Sequence, residues 1–495
     1  MCSNHLAGES IGIVGAGFGG LTAAAHLAAE GADVTVYEKQ PQVGGVAGVI
    51  EEEGFRFDTG PSWYLMPDLF ERFFGNFGYE PTDFYKLERL DPQYRILWTD
   101  GDGVEIPADT SEVIDIFESY ETGAGAALES YLEQSAETYE IGMNRFVIPN
   151  RSRFRDYLSL DVLRSARGLS LLGTMDDHVA EYVDHPKLQQ ILQYTLVFLG
   201  GAPHNTPALY NLMSHVDFNL GVYYPEGGIG GVVDAIVELD RDLGVTFRTD
   251  EPVEAIRGSR GNFTVRTSER EYSPDLVVSD ADYAHTEQDL LEPADRQYDA
   301  DYWESRTYAP SAFMLYLGVE GEVPELAHHT LVLPGNWEAH FDSIFDEPAW
   351  PEDPAYYVSV PSETDDTVAP DGHSAVVVLV PIAPDLDDDE QTRDRYREQI
   401  LSDLATEADT DLRDRIVFER SVSVSEYEQF YNSMRGTALG LAHTLRQTAV
   451  LRPGHRSSAM DGLYFTGSYT TPGIGVPMTL ISGEHTADYL LDDET

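Results

Sequence analysis

Ile11-Gly12-Ile13-Val14-Gly15-Ala16-Gly17-Phe18-Gly19-Gly20-Leu21 is the stretch that decides how this chain folds. A short apolar strand, Ile11 to Val14, runs straight into a glycine turn. The alanine-rich run Leu21 to Glu30 then predicts a helix, and Gly31-Ala32-Asp33 a turn. Val34-Thr35-Val36-Tyr37 is β-branched and predicts a second strand that ends at Glu38. Together they form a βαβ unit of about thirty residues.

Each glycine in this turn has a physical task. Gly15 permits the tight turn, and Gly17 lets the backbone approach a pyrophosphate. Gly19 continues the cradle, and Gly20 lets helix and strand pack closely. The helix N-terminus attracts phosphate charge. Glu38, 23 positions after Gly15, is placed to accept hydrogen bonds from an adenosine ribose. An acid there repels a 2′-phosphate, which disfavours NADP. Lys39 follows it and counts with the candidate cofactor contacts.

Outward from this unit, 495 residues allow two or more domains and a sizeable core. No apolar run reaches the length of a membrane-spanning helix, and Met1 to Ser10 does not read as a signal peptide, so the expected location is cytoplasmic. Cys2 is the single cysteine, which excludes internal disulfides and cysteine metal clusters. The expected metal content is none. The net charge of −56 is extreme, and only Lys39, Lys86 and Lys187 are lysines. Acids are spread along the whole chain rather than gathered in a tail. At molar salt the Debye length falls to about 3 Å, so such self-repulsion is tolerable there. The composition points to a halophilic source and argues against nucleic-acid binding, which needs a basic face.

One segment reverses this charge. Residues 141–175 carry Arg145, Arg151, Arg153, Arg155, Arg164 and Arg167 against only Asp156 and Asp161. Phenylalanines and leucines interleave them, which suits contact with an anionic membrane surface. A helical cap whose arginines pair with acids elsewhere is the alternative. The rest of 59–221 reads as mixed and largely helical, and Gly231 to Asp242 has helical apolar spacing. Strands are expected at 245–248, 263–267, 276–279, 311–318 and 375–381, and helices at 392–408 and 479–491. Asp385 to Glu390 reads as a solvated loop.

Further motifs carry a family resemblance. Val43-Gly44-Gly45-Val46-Ala47-Gly48 follows the ribose-binding strand. Here the chain resembles the FAD-containing amine oxidase and phytoene desaturase superfamily, although Val46 stands where members typically have arginine. Gly60-Pro61-Ser62-Trp63 resembles the segment bordering the flavin in bacterial-type carotenoid desaturases. Tyr223 to Gly230, Val253 to Ile256, Tyr431 to Ala438 and Arg452-Pro453 are similar to other segments of that family. Gly467-Ser468-Tyr469-Thr470-Thr471-Pro472-Gly473-Ile474-Gly475-Val476-Pro477 resembles its last FAD-binding motif, read as a strand ending at Gly467 and a helix starting after Pro477.

The resemblance implies an α/β chain: a Rossmann-like FAD-binding domain of amine oxidase type, with a discontinuous α+β substrate domain and a helical membrane-facing region. It places the FAD domain at 1–90, 222–300 and 420–495, and the substrate domain at 91–221 and 301–419. Implied cofactor contacts are Gly15, Gly17, Gly19, Gly20, Glu38, Lys39, Gly44, Gly45, Gly60, Pro61, Ser62, Val253, Gly467, Ser468, Gly475, Val476 and Pro477, holding non-covalent FAD. The implied activity is desaturation of a long-chain carotenoid such as phytoene. The alternatives are 3,4-desaturation of lycopene-derived C40 or C50 carotenoids, carotenoid isomerisation, retinoid saturation and amine oxidation. A desaturase takes a hydride to the flavin and must also release a proton. Arg155 and Asp156 resemble a family pair and rank first as catalytic residues, ahead of Glu226 and His204. The expected partners are a carotenoid, a peripheral membrane surface, and oxygen or quinone as terminal acceptor.

Overall fold

The computed structural model describes residues 5–150, 173–444 and 446–494. Strand β1 (Ser10–Val14) leads through helix α1 (Phe18–Ala29) to strand β2 (Asp33–Tyr37). Helix α2 (Gly228–Asp242) precedes β3 (Thr246–Arg248), followed later by β4 (Leu276–Ser279), β5 (Leu463–Phe465) and the closing helix α3 (Val476–Glu494). The five strands form one parallel sheet in the order β5-β4-β1-β2-β3. Strand order reverses between β1 and β4, the crevice where ligands bind in open α/β sheets.

The strands hold their places because both faces are apolar. On one face Ile11, Ile13, Val34, Val36, Leu276 and Val278 pack with Leu21 and Leu27 of α1, Val232 and Ile236 of α2, and Leu480 and Leu490 of α3; on the other Val14, Tyr37, Val277, Leu463 and Phe465 pack with Ile256, Phe263 and Val265. Such uniform apolarity is the signature of a parallel sheet covered on both sides. α1 begins at Phe18, three residues before the sequence reading, so Gly19 and Gly20 lie in its first turn. α3 likewise begins at Val476, which puts Val476 and Pro477 inside the helix; proline is tolerated there because the first amides have no intrahelical partner.

A second, seven-stranded sheet runs in the order Ile416–Val422, Ser311–Glu320, His373–Ile382, Tyr356–Ser359, His329–Leu333, Tyr94–Trp98 and Gly103–Ile106. Its pairings are antiparallel except that between His329–Leu333 and Tyr94–Trp98. The last two strands come from the stretch read as largely helical. Helix Glu390–Glu407 covers the sheet with Tyr396, Ile400, Leu401 and Leu404. Asp385 to Glu390 is more than a solvated loop: Asp389 caps that helix, and Asp388 is largely buried against Arg393 at 2.6 Å. Of the basic segment, residues 151–172 lie outside the described residues. Among the described residues no helix is long and apolar enough to cross a membrane.

Asp240 of α2 is fully buried, and among the described residues neither carboxylate oxygen has a hydrogen-bond partner. Burial pushes its pKa well above the carboxylate range. The native state therefore holds this proton more tightly than the unfolded chain, and stability falls as pH rises above the unfolded value. Asp240→Leu is expected to stabilise by about 1–3 kcal/mol at pH 8, the desolvation cost of an unpaired polar group. The gain should shrink towards pH 4. Thermal unfolding at both pH values checks this; an unchanged or lower melting temperature at pH 8 refutes it.

Candidate active site

A cavity of about 780 Å³ with mostly apolar walls opens at the β1–β4 crevice and extends beneath the second sheet. The glycine turn lines one part of it. Gly15 has φ +94°, and a Cβ there would meet the amide nitrogen of Ala281 at 2.9 Å. At Gly19 a Cβ would lie 2.8 Å from the amide nitrogen of Gly467. Only glycine therefore lets the turn pack this closely against Ala281 and Gly467 at the cavity wall. Gly44 and Gly45 fold a second turn against the first, with Gly44 N–H donating to Ala16 O at 2.7 Å. Glu38, at the end of β2, accepts from Ala16 N–H at 2.9 Å and from Gln40 N–H at 2.7 Å. Burial raises its pKa. The ammonium of Lys39 turns to Gln429 O and Asn432 Oδ1, tying the cavity rim to the end of a helix.

Gly60, Pro61 and Ser62 form the adjoining wall. Thr59 Oγ1 donates to Val46 O at 3.0 Å and binds this wall to the second glycine turn. Trp63 then projects into an aromatic group contributed by the other sheet and by the helical turn at Tyr194. It stacks on His329 with centroids 4.4 Å apart and planes 6° from parallel, and lies 5.4–6.1 Å from Tyr94, Tyr194 and Tyr357. Behind this group the buried Asp217 accepts from the hydroxyls of Tyr94 and Tyr194 at 2.8 and 3.0 Å. Burial pushes it up to about 7.

The C-terminal loop closes the far side. Gly467, Ser468, Gly475, Val476 and Pro477 all line the cavity, and the N-terminus of α3 opens onto it. The Gly467 N–H does not face the cavity: it donates to Ser482 Oγ at 2.9 Å. Positive helix-end potential is thus supplied by α3. Two residues that the motif reading did not assign hold the loop. Arg452 is buried and donates to the carbonyls of Leu441, Gln447, Ser468, Tyr469 and Thr470. His443 accepts from Ile474 N–H at 3.1 Å, which puts its proton on Nδ1, 2.9 Å from Tyr210 Oη. Burial and Arg452 hold His443 well below its ordinary pKa, so it is neutral.

The cavity thus brings together every implied cofactor residue except Gly20, which lies in the first turn of α1 with its α-carbon turned to Gly15 O. Val253, at the start of its strand, is among them. Arg155 and Asp156 lie outside the described residues. The two lower-ranked base candidates do not line the cavity. Glu226 pairs with the exposed Lys86, and His204 with Asp346 at 3.1 Å. Asp280 borders the glycine turn and was missed. Its signal was position: it is the first residue after a parallel strand, where such sheets place ligand contacts.

Bare glycine backbone at the switch point, an acid at the end of β2 and a glycine loop returning from the C-terminus fit an extended dinucleotide whose ring end meets an apolar chamber. This is the architecture of a flavin-dependent oxidoreductase that binds FAD. The profile of the flavin-containing amine oxidoreductases matches residues 18–491, and the chain belongs to that family. A carotenoid 3,4-desaturase of Haloarcula japonica is 61% identical over 492 residues, covering 99% of each chain. A zeta-carotene-forming phytoene desaturase of Myxococcus xanthus is 33% identical over 98% of this chain and 94% of its own. Among solved structures, an oxidoreductase from Methanosarcina mazei superposes with TM-score 0.63 at 17% identity, over 97% of this chain and all of the other. A putrescine oxidase bound to putrescine gives 0.61 at 15%, over 98% of this chain and 99% of its own. These two share the fold.

Proposed function

We propose that this enzyme desaturates an acyclic carotenoid at the 3,4 position, in preference to phytoene. The observation that carries the reading is the 61% identity to a carotenoid 3,4-desaturase along the whole of both chains. The apolar chamber supports it, because a polyene offers no polar handles and is held by shape and burial alone. The residues named above for the cradle, from Gly15 to Pro477, would hold FAD. Bound FAD would supply the hydride acceptor at the end of that chamber.

The protein's own part is to position the chain and exclude water. Trp63, stacked on His329, makes a rigid plate where the flavin-bordering wall meets the chamber. Two hydrogens must leave adjacent carbons: bound FAD would supply the acceptor for the hydride and its electron pair, and a base on the protein would take the proton. Asp156, beside Arg155, remains our proposed acceptor. Peripheral contact with the cytoplasmic face of a membrane through residues 141–175 would deliver the substrate, and oxygen or a quinone would reoxidise the flavin. The acidic composition suits this work at high salt.

The test uses FAD-loaded protein in molar KCl with liposomes carrying either phytoene or lycopene-type C40 and C50 carotenoids. The expected product from the latter is two mass units lighter with a red-shifted spectrum, and phytoene is left unchanged. Equal or faster conversion of phytoene would instead establish phytoene desaturation. Amine-dependent peroxide without carotenoid turnover would overturn both.

A further inference from the structure

The glycine cradle contains an anion of its own. Asp280 is the first residue after β4 and stands where strand order reverses beside β1. Its carboxylate lies against the backbone of Gly17 and Gly20 at the N-terminal end of α1. Cβ positions built on Gly17, Gly19 and Gly467 fall 2.7, 2.5 and 2.9 Å from its oxygens. The carboxylate therefore occupies space that only glycines leave open, and it lines the cavity beside Gly15 and Gly17.

These are the glycines whose amides face a dinucleotide pyrophosphate in this fold. The charged neighbours do not relieve the conflict. Glu38, at the end of β2, is a second acid facing Asp280. Lys39 spends its ammonium on Gln429 and Asn432. Asp282 is engaged by the Tyr469 hydroxyl and Met434 N–H, and the His285 ring by Asp289. α1 contributes only glycine amides at this point. Burial, reinforced by Glu38, pushes Asp280 up to about 7.

We propose that Asp280 is part of the pyrophosphate site and enters the FAD complex as the neutral acid, donating its proton to a phosphate oxygen. Loading FAD then takes up one proton from solvent at this position. The sign follows from linkage: the binding-competent, protonated form is depleted as pH rises, so FAD is held more weakly at alkaline pH, by up to about tenfold per pH unit.

The experiment starts from the full-length FAD-loaded protein in molar KCl, dialysed to equilibrium between pH 6 and pH 9, with free flavin read by fluorescence. The wild-type dissociation constant is expected to rise about tenfold per unit above neutrality, and Asp280→Asn to bind tightly with no slope. Calorimetry of FAD rebinding to the wild-type protein at pH 8, in two buffers of different ionisation enthalpy, should report close to one proton taken up. This measurement decides the matter even if the variant does not fold. A flat wild-type profile, no proton uptake, or the same slope in Asp280→Asn would each overturn the proposal. The last would move the proton to Glu38.

Discussion

Gly19→Val is expected to yield protein without bound flavin. At Gly19 a Cβ would sit 2.8 Å from the amide nitrogen and 2.9 Å from the Cα of Gly467, and 2.5 Å from an Asp280 oxygen. Two of these neighbours are backbone, so no side-chain rotation relieves the overlap. The loop between β5 and α3 would have to shift, and with it Ser468 and Gly475 on the cavity wall. Overpacking of this kind costs about 1–3 kcal/mol or more, and here the cost falls on the bound geometry. Flavin stoichiometry after purification should fall below about a tenth of wild type, equivalent to more than 1.4 kcal/mol of lost affinity at a fixed FAD concentration. Gly75→Ala is the control, because a Cβ there meets nothing within 4 Å. A yellow Gly19→Val protein at wild-type stoichiometry would refute the assignment of this turn.

Arg452→Met is expected to have the largest effect on stability. The guanidinium donates to five backbone carbonyls at distances from 2.5 to 3.3 Å, and burial lowers its pKa to about 10. Hydrogen bonds to a charged group contribute about 1.5–3 kcal/mol each, while desolvating the cation costs several kcal/mol. The balance favours the arginine by about 3–5 kcal/mol, and methionine would leave carbonyls from 441–447 and 468–470 unpaired. Arg452→Lys should recover only part of this, because an ammonium has three donors and no planar fork. Thermal unfolding with and without excess FAD measures both losses. A melting temperature within a degree of wild type would remove Arg452 from the account.

The βαβ unit was legible because its information is local. Apolar strand, glycine turn, helix and acid follow one another in 28 residues from Ile11 to Glu38, and each glycine has a steric reason that needs no distant partner. The second sheet was harder to read. Tyr94–Trp98 and Gly103–Ile106 are short; the first becomes a sheet strand by pairing with His329–Leu333, more than 200 positions away, and the second joins the sheet through the first. The helix boundaries moved by a few residues because proline and glycine are acceptable in a first turn, where amides have no intrahelical partner. Asp388 looked solvated because its partner, Arg393, is revealed only when the helix start folds back over it.

By itself the sequence determined the dinucleotide cradle, the acid at the end of β2 and, through the resemblance of its distant motifs, the flavin family. Those features depend on glycines and on the order of neighbouring residues. Tertiary structure alone decided that the two glycine turns and the C-terminal loop share one cavity, that Trp63 stacks on His329, and that Arg452 holds the loop through five carbonyls. It also placed Asp280 in the cradle and Glu226 and His204 outside the cavity. The physical reason is the same in each case: hydrogen bonding, desolvation and steric fit act between groups that meet only after the chain has packed, most of them hundreds of residues apart in sequence.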